Sequence, residues 1–165
     1  MSNVTFSGPI RVGTQRDGGV TQKNTGTPLL VQTAVVPFGA ITTAPTAQNL
    51  FTLPAGAKIV DFKFETVTAI SGGSVSAVAA VLGRTGTANA FLTSLAIPLT
   101  ATRQTQALVD AQFAAPACNN IGTTDVTVTG TFTATGGNPT AGSVVVTVLY
   151  AQRLANGGIG GDSGT

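Results

Sequence analysis

Few residues in this sequence can do chemistry. It contains no histidine. That removes the commonest general base, the commonest metal ligand and every Ser-His-Asp arrangement. The carboxylates are Asp17, Asp61, Glu65, Asp110, Asp125 and Asp162. Asp61 and Glu65 are the two closest in sequence. On a strand they share a face about 13 Å apart, wider than the about 5–9.5 Å of a glycosidase pair. Lys63 lies between them, so the three are expected to form a solvated charge row. Cys118, in "APACNNIG", is the one cysteine. It offers no intrachain bridge and no metal framework. "GRTGTANA" at 83–90 has an arginine between glycines but lacks the Gly-Lys-Ser/Thr ending of a phosphate loop. "GGIGGDSGT" at 157–165 is loosely like a calcium-binding nonapeptide, but it occurs once and that motif works by repetition. No catalytic, metal or cofactor residue is assigned, and an enzyme is not expected.

The composition points away from other classes as well. Charged residues make up 8% of the chain, against about 25% in ordinary soluble domains. The 28 threonines and 21 glycines supply much of the polar surface instead. Such a neutral, hydroxyl-rich surface gives little repulsion between copies and suits close packing in an assembly. The net charge is +2, and the three lysines and five arginines are scattered. Nucleic-acid binding needs a basic stripe that displaces counterions, and none is present. No stretch approaches the 18 apolar residues of a membrane helix. The start "MSNVTFSGPI" has neither the basic nor the apolar region of a secretory signal. With no tryptophan and one tyrosine, the aromatic faces usual in sugar binding are scarce. A host-attachment or carbohydrate-binding sandwich, as in a fibre or adhesin subunit, is therefore the secondary reading.

The elements that must position these residues are strands. Residues 1–28 form a polar arm with turn signals at Gly8-Pro9, Asp17-Gly18-Gly19 and Asn24-Thr25-Gly26. Residues 29–153 carry short β-type runs bounded by Gly, Pro and Asn, and 154–165 are a Gly-rich tail. Strands are expected at Leu29–Val36, Gln48–Leu53, Lys58–Ile70, Ser74–Gly83, Ala90–Pro98, Gln104–Phe113, Asp125–Thr135 and Ser143–Gln152. The Ala-rich segments Ala88–Leu99 and Ala101–Phe113 could instead hold short helices. This spacing predicts one all-β domain, a sandwich or a barrel.

Three strands carry that prediction. In Lys58–Ile70 alternation sends Val60, Phe62, Phe64, Thr66, Thr68 and Ile70 inward, and Asp61, Lys63 and Glu65 outward. In Asp125–Thr135 the even positions enter the core and the odd ones form an unbroken threonine row. In "SVVVTVLYAQ", Val144, Val146, Val148 and Tyr150 face one way. Val145, Thr147 and Leu149 face the other. A strand with two apolar faces is covered on both, by a loop or by a second subunit. Ser71–Ser74 and Gly136–Pro139 read as hairpin turns.

The segment "FTLPAGAKIVDFKFET", with "FSGPIRVG" near the start and "VVVTVLYAQ" near the end, resembles elements of the capsid decoration, or cement, proteins of tailed bacteriophages. The resemblance covers about a third of the chain, and residues 88–120 match none of its elements. It implies a single-domain antiparallel β-sandwich, jelly-roll-like or alternatively immunoglobulin-like, on the capsid exterior that reinforces contacts between major capsid protein subunits, as a homo-oligomer, a trimer or alternatively a dimer. It places no cofactor. On this reading Phe6, Pro9, Ile10, Arg11 and Arg16 of the arm bind the capsid, and Val145, Thr147 and Leu149 form the oligomer interface.

Overall fold

The computed structural model describes residues 29–101, 118 and 121–152. They form two sheets facing each other across one core. The strands are β1 (Leu29–Pro37), β2 (Ile41–Thr42), β3 (Gln48–Leu53), β4 (Lys58–Ser71), β5 (Ala77–Arg84), β6 (Thr87–Ile97), β7 (Val126–Thr135) and β8 (Ala141–Ala151). A single 3-10 turn, Phe38–Ala40, separates β1 from β2. One sheet has the order β1-β8-β4. The other runs β2-β7-β5-β6, with β3 also paired to β7. All pairs are antiparallel except the short β2–β7 contact. The expected all-β sandwich is therefore the observed architecture.

Seven of the eight expected strands are present, and Ala88–Leu99 is strand rather than helix. Gln104–Phe113 lies outside the described residues, as do the arm and the tail. The two-residue β2 was not foreseen.

Alternation explains the core. Phe62 and Phe64 of β4 and Val144, Val146 and Val148 of β8 meet Val78, Leu82, Phe91 and Phe132 of the opposite sheet, all buried. The Phe62 and Phe91 rings sit 6.4 Å apart at 45°, joining the two sheets, a spacing favourable for aromatic pairs. Thr66 is the one buried polar residue among those described, and its hydroxyl donates to the Pro98 carbonyl at 2.7 Å. That bond removes the desolvation penalty of an unpaired hydroxyl.

Two sequence expectations are corrected. Val60 is not a core residue: it is 48% exposed, while Ile59 is 3% exposed. The β4–β8 register runs Ile59 to Tyr150 and then Asp61 to Leu149. Val60 is thus an extra residue, a β-bulge, turned outward beside Leu149. A second shift between Thr66 and Thr68 turns Thr68 outward with Val67. The other correction concerns the Gly-rich turns. Ser71–Ser74 leads from β4 in one sheet to β5 in the other, and Gly136–Pro139 leads from β7 back to β8. Both carry the chain between sheets and close no hairpin. Gly72 and Gly73 take φ values of 85° and 55°, which glycine adopts without strain.

The Pro54–Gly56 corner sets the entry to β4. The Ala57 amide donates to the Pro54 carbonyl at 3.1 Å, the Gly56 amide to the Gly122 carbonyl at 2.7 Å, and the Ala55 amide to Asp125 Oδ1 at 2.9 Å. Asp125 thus serves as a clamp on the turn.

Candidate docking face

Residues opposite each other on paired strands point to the same face. On the outer side of the β1-β8-β4 sheet this rule gathers three rows. Val31 lies beside Leu149 and Asp61, Thr33 beside Thr147 and Lys63, and Val35 beside Val145 and Glu65. The bulges add Val60 next to Leu149 and Val67 next to Ser143. At strand spacings of about 4.8 Å and about 6.8 Å between rows, the face spans about 10 by 14 Å before its flanks are counted.

This surface is unusually apolar for an outer face. Leu29, Val31, Val35, Val60 and Val67 are 51, 57, 67, 48 and 52% exposed. With Phe38, at the end of β1, they are all the large exposed hydrophobic side chains among the described residues. Contiguous apolar surface of this kind marks interaction sites. The charges on it, Asp61, Lys63 and Glu65, line the β4 side as the sequence indicated.

The opposite outer face differs. There Thr127, Thr129, Thr131, Thr133 and Thr135 of β7 form the expected row, beside Ala77, Ala79, Val81 and Gly83 of β5. Among the described residues the two outer faces therefore differ, one bearing exposed aliphatic side chains and the other a threonine row.

The expected interface residues Val145, Thr147 and Leu149 lie on the apolar face and are half-buried at its centre. Phe6, Pro9, Ile10, Arg11 and Arg16 lie outside the described residues. Leu29, Val31, Val35 and Val67 belong to the face and were not singled out from sequence. Their signal was the alternation Leu29, Val31, Thr33, Val35, whose exposed side is fixed only once β8 is known as the neighbour.

Among the described residues no three His, Cys, Asp or Glu side chains come together. Cys118 is buried, its thiol 3.9 Å from the Phe91 carbonyl. Burial pushes its pKa from 9.0 up to about 11. The neutral thiol is thus favoured in the folded state. Between pH 9 and 11 the unfolded chain loses this proton first, so stability falls as pH rises through that window. At pH 8 a thiol reagent should label the native chain at least about 100-fold more slowly than the unfolded chain. Equal rates would show that Cys118 is accessible.

No protein-family model matches the sequence, and no curated protein matches it. Solved structures do. A chain of the cyanophage Pam1 capsid asymmetric unit is 19% identical with a TM-score of 0.53, the match covering 84% of this chain and 95% of that one. A chain of the acidic stable capsid structure of Helicobacter pylori bacteriophage KHP30 is 16% identical with a TM-score of 0.44, covering 79% and 94%. The first likeness shows a shared fold. It covers most of each chain, so the two are of similar size.

Proposed function

We propose that this chain is a structural protein of a phage virion, a decoration protein that binds the outside of the head and stabilises contacts between major capsid protein subunits. The apolar outer face of β1-β8-β4 carries the reading. It offers a sheet-backed docking surface with exposed aliphatic side chains. The fold shared with a chain of similar length from a cyanophage capsid supports it. So does the scarcity of charge, which limits repulsion between many copies on one shell.

On this reading the apolar face lies against the shell and the threonine face against solvent. The arm, which precedes β1 in the chain, supplies further anchors. Phe6, Pro9 and Ile10 fill shell pockets, and Arg11 and Arg16 pair with shell carboxylates. Repetition over the shell multiplies a modest single-site affinity.

Cosedimentation with heads of the encoding phage stripped of this protein tests the reading. The full chain should bind to saturation and raise the temperature at which the heads break. A chain lacking residues 1–16 should remain folded and lose binding. Absence of binding by the full chain, or selective binding to glycans, would overturn the decoration role.

A further inference from the structure

Sheet edges are where one β protein can pair with another, and edges are usually blunted by charge, bulges, short strands or cover. Three of the four edge positions here are blunted. β4 carries Lys58, Asp61, Lys63 and Glu65, and three register shifts interrupt its pairing with β8. Its later half is also bonded to Pro98 and Leu99. β6 pairs with β5 through two register shifts. On the remaining edge, β2 has two residues, β3 is bulged between Asn49 and Phe51, and the Thr52 carbonyl is taken by the Gln32 side chain at 3.2 Å.

β1 lacks charge, bulges and shortness, and the cover it has is the Gln32 contact with Thr52 of β3. Its nine residues, "LLVQTAVVP", pair with β8 without a shift and include no charge and no glycine. Its one proline is the last residue. Among the described residues no strand pairs with its other edge.

The strand is also self-complementary. Antiparallel pairing with a second copy, centred on Thr33, engages all nine residues. Val31 then faces Val35 of the other copy, Thr33 faces Thr33, and Leu30 faces Val36. Pairs of β-branched side chains and threonine–threonine pairs are favourable across strands. A slip of one residue would set outward side chains against inward ones. A slip of two would leave two residues unpaired at the ends.

We propose that β1 is a homodimerisation edge and that two copies join through it about a two-fold axis at Thr33. The axis is normal to the sheet, so both apolar faces end on the same side. The result is one six-stranded sheet, β4-β8-β1 continued by β1-β8-β4 of the second copy. Its middle four strands are apolar outward, and Asp61, Lys63 and Glu65 form a charged rim at either flank. An apolar centre within a polar rim is the usual anatomy of a docking surface. Dimerisation thus doubles the face assigned above, although the pairing itself does not depend on what that face binds.

Sedimentation equilibrium of the full-length protein tests this. The native chain should be a dimer. Thr33→Lys and Thr33→Glu each set like charges in contact on the axis, and each should raise the dimer dissociation constant about tenfold or more. Thr33 is exposed, so the unfolding midpoint of each variant measured as monomer should be unchanged. An equimolar mixture of the two variants should restore the dimer, because the introduced lysine of one copy then meets the introduced glutamate of the other. A monomeric or trimeric native chain overturns the proposal. So does a dimer indifferent to both variants, or a mixture that fails to reassociate. Head binding by the native chain, whatever its oligomeric state, would leave the decoration role standing even then.

Discussion

Ile59→Ala is expected to lower the free energy of unfolding by about 2–5 kcal/mol, and Val60→Ala by less than about 0.5 kcal/mol. The two residues are adjacent in one strand and of similar size. The difference rests on the bulge. Ile59 faces the core with Tyr150, and Val60 is the extra residue turned outward beside Leu149. Phe62→Ala, two positions further, belongs with Ile59. It removes a fully buried ring and its contact with Phe91, and the cost is about 3–5 kcal/mol. Against a total stability of about 5–15 kcal/mol, either core variant consumes a large share, and Val60→Ala does not. Urea unfolding of the three variants at equal m-values reads the order directly. A loss at Val60 as large as at Ile59 would remove the bulge, and with it Val60 from the docking face.

That comparison also marks the limit of what could be read in the sequence. β7 was legible because its alternation is unbroken: Val128, Phe132 and Ala134 are buried, and the odd-numbered threonines face out. β8 was legible for the same reason, including its second apolar side. β4 was legible from Asp61 to Ile70 only in part. A bulge changes the phase of the alternation by one residue, and "KIVDFKFET" reads equally well in either phase at its first two apolar positions. The partner strand decides, and Tyr150 lies far along the chain. The glycine turns failed for a related reason. Positive φ values at Gly72, Gly73 and Gly136 reverse the chain. The same local geometry serves a hairpin within a sheet or a crossing between sheets. Only long-range pairing distinguishes them.

The site was legible to a smaller extent. Val145, Thr147 and Leu149, expected at an oligomer interface, lie at the centre of the face. The flanks were hidden. β1 is amphipathic by alternation, but its exposed side matters only because β1 lies against β8, more than 100 residues later. With no histidine in the chain, the sequence directs attention to surface shape and polarity, and those are properties of strand order.

The double variant Val60→Lys with Leu149→Lys is expected to weaken binding to phage heads at least about 100-fold. Both side chains lie on the apolar face: Asp61 is the register partner of Leu149, and Val60 is the bulged residue beside that pair. Burying each contributes about 1.5–3 kcal/mol, and a lysine adds the cost of desolvating its ammonium. Two such losses at one contact exceed what a tenfold change would represent. Neither residue is at the β1 edge, so the dimer should persist in sedimentation, and neither faces the core, so the unfolding midpoint should move little. The matching change on the other side, Thr129→Lys with Thr131→Lys on β7, places the same charge on the hydroxylated face and should leave head binding within about threefold, as a surface substitution away from the contact does. If the two double variants bind alike, the apolar face does not meet the shell. If the order is reversed, the molecule sits on its threonine side and the apolar face is left for another partner.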